Sequence, residues 1–195
     1  MLTPHTQSHI PLTATRERLI QLVTERSLLH GTKMKLASGA SSTFYFDMKR
    51  TAFHPEGATL IAHLILNELS GTAVDYVGGL EMGAVPLVAC LIQHSYPDRA
   101  IGGFFVRKHP KNHGTRRLIE GLPEDESLNG KTVILLEDVT TTGGSVIKAV
   151  RAVRDEGAFV PAVVTVVDRL QGATERLHKE EIALQPVLTV NDFSL

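Results

Sequence analysis

The stretch Val133-Ile-Leu-Leu-Glu-Asp-Val-Thr-Thr-Thr-Gly-Gly-Ser145 decides the fold. Its apolar half predicts a buried strand that ends in two carboxylates, Glu137 and Asp138, and its Thr/Gly half predicts a turn that leads into a helix. Gly143 and Gly144 allow the backbone to turn tightly and to approach an anion closely. Because ligands of open α/β sheets bind where strands end and helices begin, the stretch predicts an α/β sheet that carries a phosphate site.

The sequence on either side of this stretch alternates between strand-like and helix-like segments. Strands are predicted at 44–47, 74–77, 101–106, 131–136 and 159–167, and helices at 14–29, from 54 onward, at 84–94 and at 145–156. Continuous Val, Ile and Leu runs between helices are typical of a parallel sheet with helices on both faces. The longest region without a predicted element, 109–129, is typical of a lid or a binding loop.

Composition favours one globular domain without a membrane or nucleic-acid partner. The chain has 195 residues, of which 43% are hydrophobic and 21% charged, and a formal net charge of -1. Nothing in this balance requires nucleic acid or an anionic membrane, and no apolar run approaches the roughly 18 residues of a transmembrane helix. The N-terminus lacks the pattern of a signal peptide, and the single cysteine, Cys90, cannot form an intrachain disulfide. We therefore expect a cytoplasmic protein.

The carboxylates beside the predicted phosphate site indicate what else the ligand carries. Carboxylates are good acceptors for vicinal hydroxyls, so a ribose 5-phosphate unit would satisfy both halves of the site. A turn with an ordinary helix cap would explain Thr-Gly-Gly-Ser alone, but it would not explain the whole stretch. The stretch resembles the signature for phosphoribosyl pyrophosphate (PRPP) of type I phosphoribosyltransferases, and it lacks the Gly-Lys-Ser/Thr ending of a Walker P-loop. The resemblance implies a Rossmann-like parallel-sheet core with a small N-terminal hood, and PRPP binding by Glu137, Asp138, Val139, Thr140, Thr141, Thr142, Gly143, Gly144 and Ser145.

A second motif, Arg107-Lys-His-Pro-Lys-Asn-His-Gly-Thr-Arg-Arg117, holds five permanent cations, two histidines and no acid. Such a run is usually a solvated segment, but a mobile cationic loop is also what a pyrophosphate leaving group needs. The motif resembles the catalytic loop of orotate phosphoribosyltransferases. That resemblance implies a homodimer, in which each loop reaches the active site of the neighbouring subunit. It also implies that Lys111 and Asp138 are catalytic and that the loop contacts PRPP through Arg107, Lys108, Lys111 and His113.

The segment Lys35-Leu-Ala-Ser-Gly-Ala-Ser-Ser-Thr-Phe-Tyr-Phe-Asp47 resembles the hood that covers the orotate ring in that family. This implies that Phe44 and Tyr45 contact the base, although a small hydrophobic cluster explains the aromatic side chains equally well. Arg169 follows a predicted strand and matches the family's orotate-binding arginine, as Thr141 matches its orotate-contacting threonine. An arginine at a strand end suits a carboxylate, whereas an Asp-Arg dipeptide considered alone would more often form a surface ion pair.

The resemblance covers roughly residues 15–175 of a single domain, 1–195. It implies a hood at about 14–50 and an α/β core at about 51–175, with a flexible catalytic loop at 107–121.

Two positions depart from the pattern of many family members. The hood has Ala37 where many carry a lysine, and the predicted pyrophosphate loop, Gly78-Gly-Leu-Glu-Met-Gly83, has no lysine at Glu81 or Met82. Neighbouring Lys33 or Lys35 is available to compensate.

The resemblance implies transfer of the 5-phosphoribosyl group from PRPP to orotate, which gives orotidine 5'-monophosphate and pyrophosphate in pyrimidine biosynthesis. The implied cofactor is Mg²⁺, bound through PRPP oxygens and water rather than by a protein cage. One alternative is a phosphoribosyltransferase for a purine or uracil, and a purine enzyme would not need Arg169 for a carboxylate. The other is a non-catalytic PRPP-sensing regulator, but regulators of that type usually carry a nucleic-acid-binding extension or a basic face.

Overall fold

A parallel sheet of five strands forms the centre of the fold in the computed structural model, which describes residues 11–35, 41–110 and 118–195. In chain order, the elements of these residues are α1 (Leu12–Arg26), β1 (Leu28–Lys35), β2 (Ser41–Phe46), α2 (Lys49–Ala52), α3 (Pro55–Glu68), β3 (Tyr76–Gly78), α4 (Ala84–Ser95), β4 (Gly102–Gly103), β5 (Phe105–Val106), β6 (Ile119–Glu120), β7 (Thr132–Thr140), α5 (Gly144–Asp155), β8 (Phe159–Asp168), α6 (Ala173–His178), β9 (Ala183–Thr189) and a 3₁₀ turn (Val190–Asp192).

The sheet has the order β4-β3-β7-β8-β9, and each neighbouring pair of strands runs parallel. The predicted α/β fold is therefore confirmed. Outside this sheet, β1 and β2 pair antiparallel, and β5 and β6 form a second short antiparallel pair.

Helices cover both faces of the sheet because the side chains of β7 alternate between two apolar layers. Ile134 and Leu136 pack in one layer with residues of α1, α3 and α4, and Val133 and Leu135 pack in the other with residues of α5 and α6. All four β7 side chains are at most 1% exposed. Full burial of one such aliphatic side chain stabilises a fold by roughly 1.5–3 kcal/mol, so β7 is the central support of the site at its carboxyl end.

The strand predicted at 101–106 is wrong as one element. The structure breaks it at Phe104, so that β4 joins the parallel sheet through β3 while β5 pairs with β6. The reason is a second partner, because Phe105 and Val106 pair with β6. Hydrogen bonds to the β3 segment nevertheless continue through Phe104, whose N–H donates to the Val77 carbonyl, and through Val106, whose N–H donates to the Gly79 carbonyl.

The strand predicted to end before the two carboxylates is also longer than expected. Parallel pairing with β8 continues as far as Thr140 opposite Asp168, so Glu137 and Asp138 lie inside β7 rather than after it. The partner strand, whose last residues are fully buried, supplies the pairing that extends β7.

The structure contains elements that sequence patterns did not predict. Strand β9 forms one edge of the sheet although it contains Pro186, which an edge strand tolerates because one side of its backbone needs no ladder hydrogen bond. Helix α6 precedes it, and β1 begins two residues after α1 ends. Across the described residues, no helix combines the length and apolar character required to cross a bilayer.

Candidate active site

A cleft of about 570 Å³ opens beyond the carboxyl ends of β3, β7 and β8. Its walls come from the residues that follow these strands and from the hood strand β2, which places Tyr45 on one side. The full lining is Tyr45, Phe46, Lys49, Leu80, Glu81, Met82, Gly83, Lys108, Glu137, Asp138, Val139, Thr140, Thr141, Thr142, Gly143, Gly144, Ser145, Val146, Lys148, Arg169 and Arg176.

The turn between β7 and α5 lines the cleft and has the geometry that suits an anion. Gly143 precedes α5 in the left-handed conformation, with φ 73°, which glycine adopts without the strain of a side chain. The first turn of α5 therefore presents backbone N–H groups and the positive end of the helix dipole to the cleft. Arg176 lies against this turn, because its guanidinium donates to the Thr142 carbonyl at 3.4 Å. The nine residues of 137–145 that were predicted to bind PRPP all line the cleft.

The two carboxylates face the middle of the cleft. Asp138 is oriented by a hydrogen bond of 2.9 Å from the Val139 N–H to its Oδ1, and its carboxyl packs directly on Gly83. A Cβ at Gly83 would be 2.5 Å from Asp138 Cγ, so the close approach requires glycine. Glu137 is half-buried, and its Oε2 is buried without a hydrogen-bond partner among the described residues.

Burial changes the protonation of both carboxyl groups. It is the main cause that raises the pKa of Glu137 to about 8; the neighbouring Asp138 adds to the rise and Lys108 opposes it. Burial likewise raises the pKa of Asp138, against the lowering effect of the Val139 N–H and of Lys49. A ligand whose hydroxyl groups donate hydrogen bonds to these carboxylates, or that carries a cation, would favour their charged forms. The pair is therefore suited to a polyhydroxylated ligand.

The raised pKa of Glu137 leads to a prediction for stability. Between its ordinary pKa of 4.5 and about 8, Glu137 keeps in the folded protein a proton that it releases on unfolding. The free energy of unfolding of the ligand-free protein should therefore fall as pH rises across this window, by at most about 1.4 kcal/mol per pH unit from this group. Urea unfolding at several pH values should show a shallower fall for Glu137→Gln than for the wild type. The exposed Glu68→Gln is the control, and equal slopes for Glu137→Gln and the wild type would contradict the assignment.

Another part of the cleft wall is a buried arginine that lies against an aromatic ring. Arg169 is 4% exposed, and its guanidinium carbon lies 4.4 Å above the centre of the Phe44 ring. Its backbone N–H donates to the Thr140 carbonyl, which ties it to the end of β7. Asp168 is 1% exposed and accepts from the Leu170 N–H at 3.0 Å, so the alternative of a surface Asp-Arg ion pair is wrong. Burial lowers the pKa of Arg169, which an anionic partner would oppose.

Comparison with known proteins agrees with this geometry. Residues 50–193 match the family model described as phosphoribosyl transferase domain. The orotate phosphoribosyltransferase of Bradyrhizobium diazoefficiens is 48% identical over 181 residues, which cover 92% of this chain and 96% of the relative. That of Methanocaldococcus jannaschii is 39% identical over 177 residues, with 91% and 96% covered.

The chain belongs to the orotate phosphoribosyltransferase family. A solved structure of the Mycobacterium tuberculosis enzyme in complex with PRPP is also similar, with a TM-score of 0.75 and 34% identity. The match covers 91% of this chain and 98% of that one.

Within this orotate phosphoribosyltransferase fold, the predicted loop residues have different positions. Lys108 lines the cleft, and its backbone N–H donates to Glu81 Oε1 at 2.8 Å, which joins the segment after β5 to the loop after β3. Arg107 does not line the cleft; it forms an ion pair with Glu120 at 3.1 Å and donates to the His109 carbonyl. Lys111 and His113 lie outside the described residues, as do Ala37 and the side chains of Lys33 and Lys35.

The aromatic hood residues divide between two roles. Tyr45 lines the cleft, whereas Phe44 lies behind Arg169 and meets the Phe46 ring edge-on at 5.8 Å. The Phe46 ring also packs on Phe193 at 4.9 Å, so the hydrophobic-cluster interpretation holds for part of this segment.

Sequence reasoning missed several lining residues of the orotate phosphoribosyltransferase cleft. Lys148 carries a signal that was available, because it lies one helical turn after Gly144. Lys49 and Arg176 carry none that is local, since only the packed fold brings them to the cleft.

Proposed function

We propose that the chain transfers the 5-phosphoribosyl group of PRPP to orotate and releases orotidine 5'-monophosphate and pyrophosphate, in the cytoplasm. One observation carries the proposal. A single cleft holds a turn suited to an anion, a carboxylate pair and a buried arginine that lies on an aromatic ring. These are the groups that a ribose 5-phosphate and a planar carboxylate-bearing base require.

PRPP fits the cleft in one direction. Its 5'-phosphate binds the turn from Thr141 to Ser145, where backbone N–H groups and hydroxyls converge. Its 2'- and 3'-hydroxyls donate to Glu137 and Asp138. The anomeric carbon then faces the region between Arg169 and the loop after β3.

Orotate binds at the other end, with its carboxylate paired to Arg169. Thr141 contributes a hydrogen bond to the base. Tyr45 covers the orotate ring from the hood side. The Phe44 ring packs against the Arg169 guanidinium and holds it in place.

The reaction exchanges one bond at the anomeric carbon for another. The bond to the pyrophosphate oxygen loosens first, which leaves an oxocarbenium-like centre that a ring nitrogen of orotate then attacks. Because this centre is cationic, Asp138 stabilises it by its charge as well as by its hydrogen bonds to the ribose. The protein otherwise positions the two reactants and neutralises the departing anion.

A magnesium ion fits this site as a partner of PRPP. Glu137 and Asp138 supply the hard oxygen ligands that Mg²⁺ prefers, but among residues 11–35, 41–110 and 118–195 no group of three or more His, Cys, Asp or Glu side chains is placed to hold a metal. We infer that Glu137 and Asp138 would lie beside a Mg²⁺ ion bound through PRPP and water. Its chemistry is to neutralise charge on the leaving group.

We further propose a homodimer with shared active sites. The loop motif of 107–117 resembles the loop that crosses between subunits in this family, so Lys111 serves as the main catalytic cation in the partner's cleft and His113 contacts PRPP beside it. Arg107 would have to exchange its ion pair with Glu120 for PRPP when the loop closes. The domain division into a hood at about 14–50, a core and the loop at 107–121 belongs to the same proposal.

Two alternatives predict a different ligand. An enzyme for a purine or uracil would have no carboxylate to pair with the buried Arg169, and a non-catalytic regulator would require a nucleic-acid surface that the net charge of -1 does not indicate. The buried arginine therefore favours orotate.

A spectroscopic assay tests the proposal directly. The purified protein should consume orotate when PRPP and Mg²⁺ are both present, and EDTA should stop the reaction. Hypoxanthine, guanine and uracil serve as competing substrates under the same conditions. Higher catalytic efficiency with any of these than with orotate would overturn the assignment, and DNA binding without turnover would favour the regulator.

A further inference from the structure

Lys49 is a cation of the cleft that lies outside every motif identified in the sequence. It is the first residue of α2, directly after the hood strand, and it lines the cleft together with Tyr45 and Asp138. Its Nζ lies 2.6 Å from Asp47 Oδ1, and this neighbour raises the pKa of Lys49. Lys49 is therefore a charged ammonium group held at the wall of the cleft.

The position of Lys49 corresponds to one part of PRPP. The 5'-phosphate is assigned to 141–145, the ribose hydroxyls to Glu137 and Asp138, and the base to Arg169. The diphosphate, which leaves from the anomeric carbon, must occupy the remaining wall between the loop after β3 and the hood, where Lys108 and Lys49 provide the cations.

The charge balance of this wall requires a cation. Glu81 and Asp138 both contribute carboxylates there, and the diphosphate adds several negative charges. An uncompensated anion of that charge beside two acids would be strongly disfavoured in a partly buried cleft. Lys49 and Asp138 line the same cleft, and the charge of Lys49 opposes the rise that burial causes in the pKa of Asp138.

We propose that Lys49 binds the diphosphate of PRPP and stabilises pyrophosphate as it leaves. The inference rests on the proposed function, since it assumes that PRPP is the ligand. An ammonium group has three donors, so the contact with Asp47 leaves capacity for a phosphate oxygen. Asp47 fixes the direction of the lysine, and the lysine contacts the substrate.

Arg50 provides a matched control. It is the next residue along the chain and shares the same carboxylate partner, with its Nε 3.4 Å from Asp47 Oδ2, but it does not line the cleft. Any effect that comes only from disturbing Asp47 or α2 should therefore appear in Arg50→Gln as well as in Lys49→Gln.

The experiment compares ligands with and without a diphosphate. Calorimetric titration of the full chain, with Mg²⁺ present, should show that Lys49→Gln weakens PRPP and pyrophosphate by about tenfold or more, the effect of losing one charge-assisted contact. Orotidine 5'-monophosphate, which has no diphosphate, should bind within about twofold of the wild type. Arg50→Gln should leave all three affinities nearly unchanged, and Lys49→Arg should restore most of the pyrophosphate binding.

Two outcomes overturn the inference. Equal weakening of all three ligands by Lys49→Gln means a structural role for the lysine, and unchanged pyrophosphate binding means no role in the diphosphate site. If Lys49→Gln does not fold, the double variant Asp47→Asn, Lys49→Gln removes both ends of the ion pair and carries the same comparison. A wild-type protein that binds neither PRPP nor pyrophosphate contradicts the proposed function itself, whereas normal wild-type binding with an unaffected Lys49→Gln contradicts only the lysine assignment.

Discussion

Asp138→Asn is expected to lower kcat/KM by on the order of 10²-fold or more, the scale of losing one preorganised electrostatic group at a reacting centre. The change keeps the shape of the side chain, so packing against Gly83 is retained, while the charge that faces the ribose is lost. An amide can also turn an N–H toward a ribose hydroxyl that needs an acceptor. Steady-state kinetics with varied PRPP should show both a higher KM and a lower kcat.

Exposed acids elsewhere on the molecule are the controls for this substitution. Glu124 and Asp125 lie in the segment that precedes β7 and border a separate groove away from the cleft. Glu124→Gln and Asp125→Asn remove one charge each and should change kcat/KM by less than about twofold, because exposed charges at a distance are screened. If Asp138→Asn were as mild as these, the carboxylates of β7 would not hold the ribose.

The parts of this fold that the sequence predicted are those fixed by local chemistry. The strand–turn–helix at 133–145 combines an apolar run, two glycines and a helix start within thirteen residues, and the structure places every one of its site residues at the cleft. Helix α3 is similar, because Pro55 at its first position and Glu56 in its first turn mark its start without help from the rest of the protein.

The parts that it did not predict depend on distant partners. The apolar residues of strand β9 are interrupted by Gln185 and Pro186, so they show no strand period, and the segment becomes a strand because β8 offers a free parallel edge. Glu137 and Asp138 are drawn into β7 by the same neighbour. Periodicity describes the residues of one segment, so it cannot report an edge that another segment supplies.

The site shows the same division. Arg169 was identified from its place after a strand, but its burial and its position above Phe44 arise from contacts between segments 125 residues apart. Lys49 and Arg176 reach the cleft only because α2 and α6 pack beside it, and nothing in their local sequence distinguishes them from solvated lysines and arginines.

Arg169→Ala is the second substitution with a large expected effect. If the arginine pairs with the orotate carboxylate, its loss should remove roughly 2–5 kcal/mol of binding or transition-state stabilisation, the range for a desolvated charge pair. PRPP affinity should change little, because Arg169 lies at the base end of the cleft. The exposed Arg151, which forms an ion pair with Glu180, gives the control Arg151→Ala. Unchanged efficiency with orotate would show that Arg169 stabilises only the hood.

The same variant also tests whether the active sites are shared between subunits. Lys111→Ala should bind PRPP yet turn over slowly, because the loop acts mainly as pyrophosphate begins to leave. Mixing it with Arg169→Ala under conditions of subunit exchange produces mixed dimers in about half of the molecules. If each loop serves its partner, every mixed dimer has one site with both defects and one with neither, and roughly a quarter of the wild-type activity should return. If each loop serves its own subunit, every site keeps one defect and no activity returns, a result that would rule out the shared site while leaving the chemistry assigned to Lys111 intact.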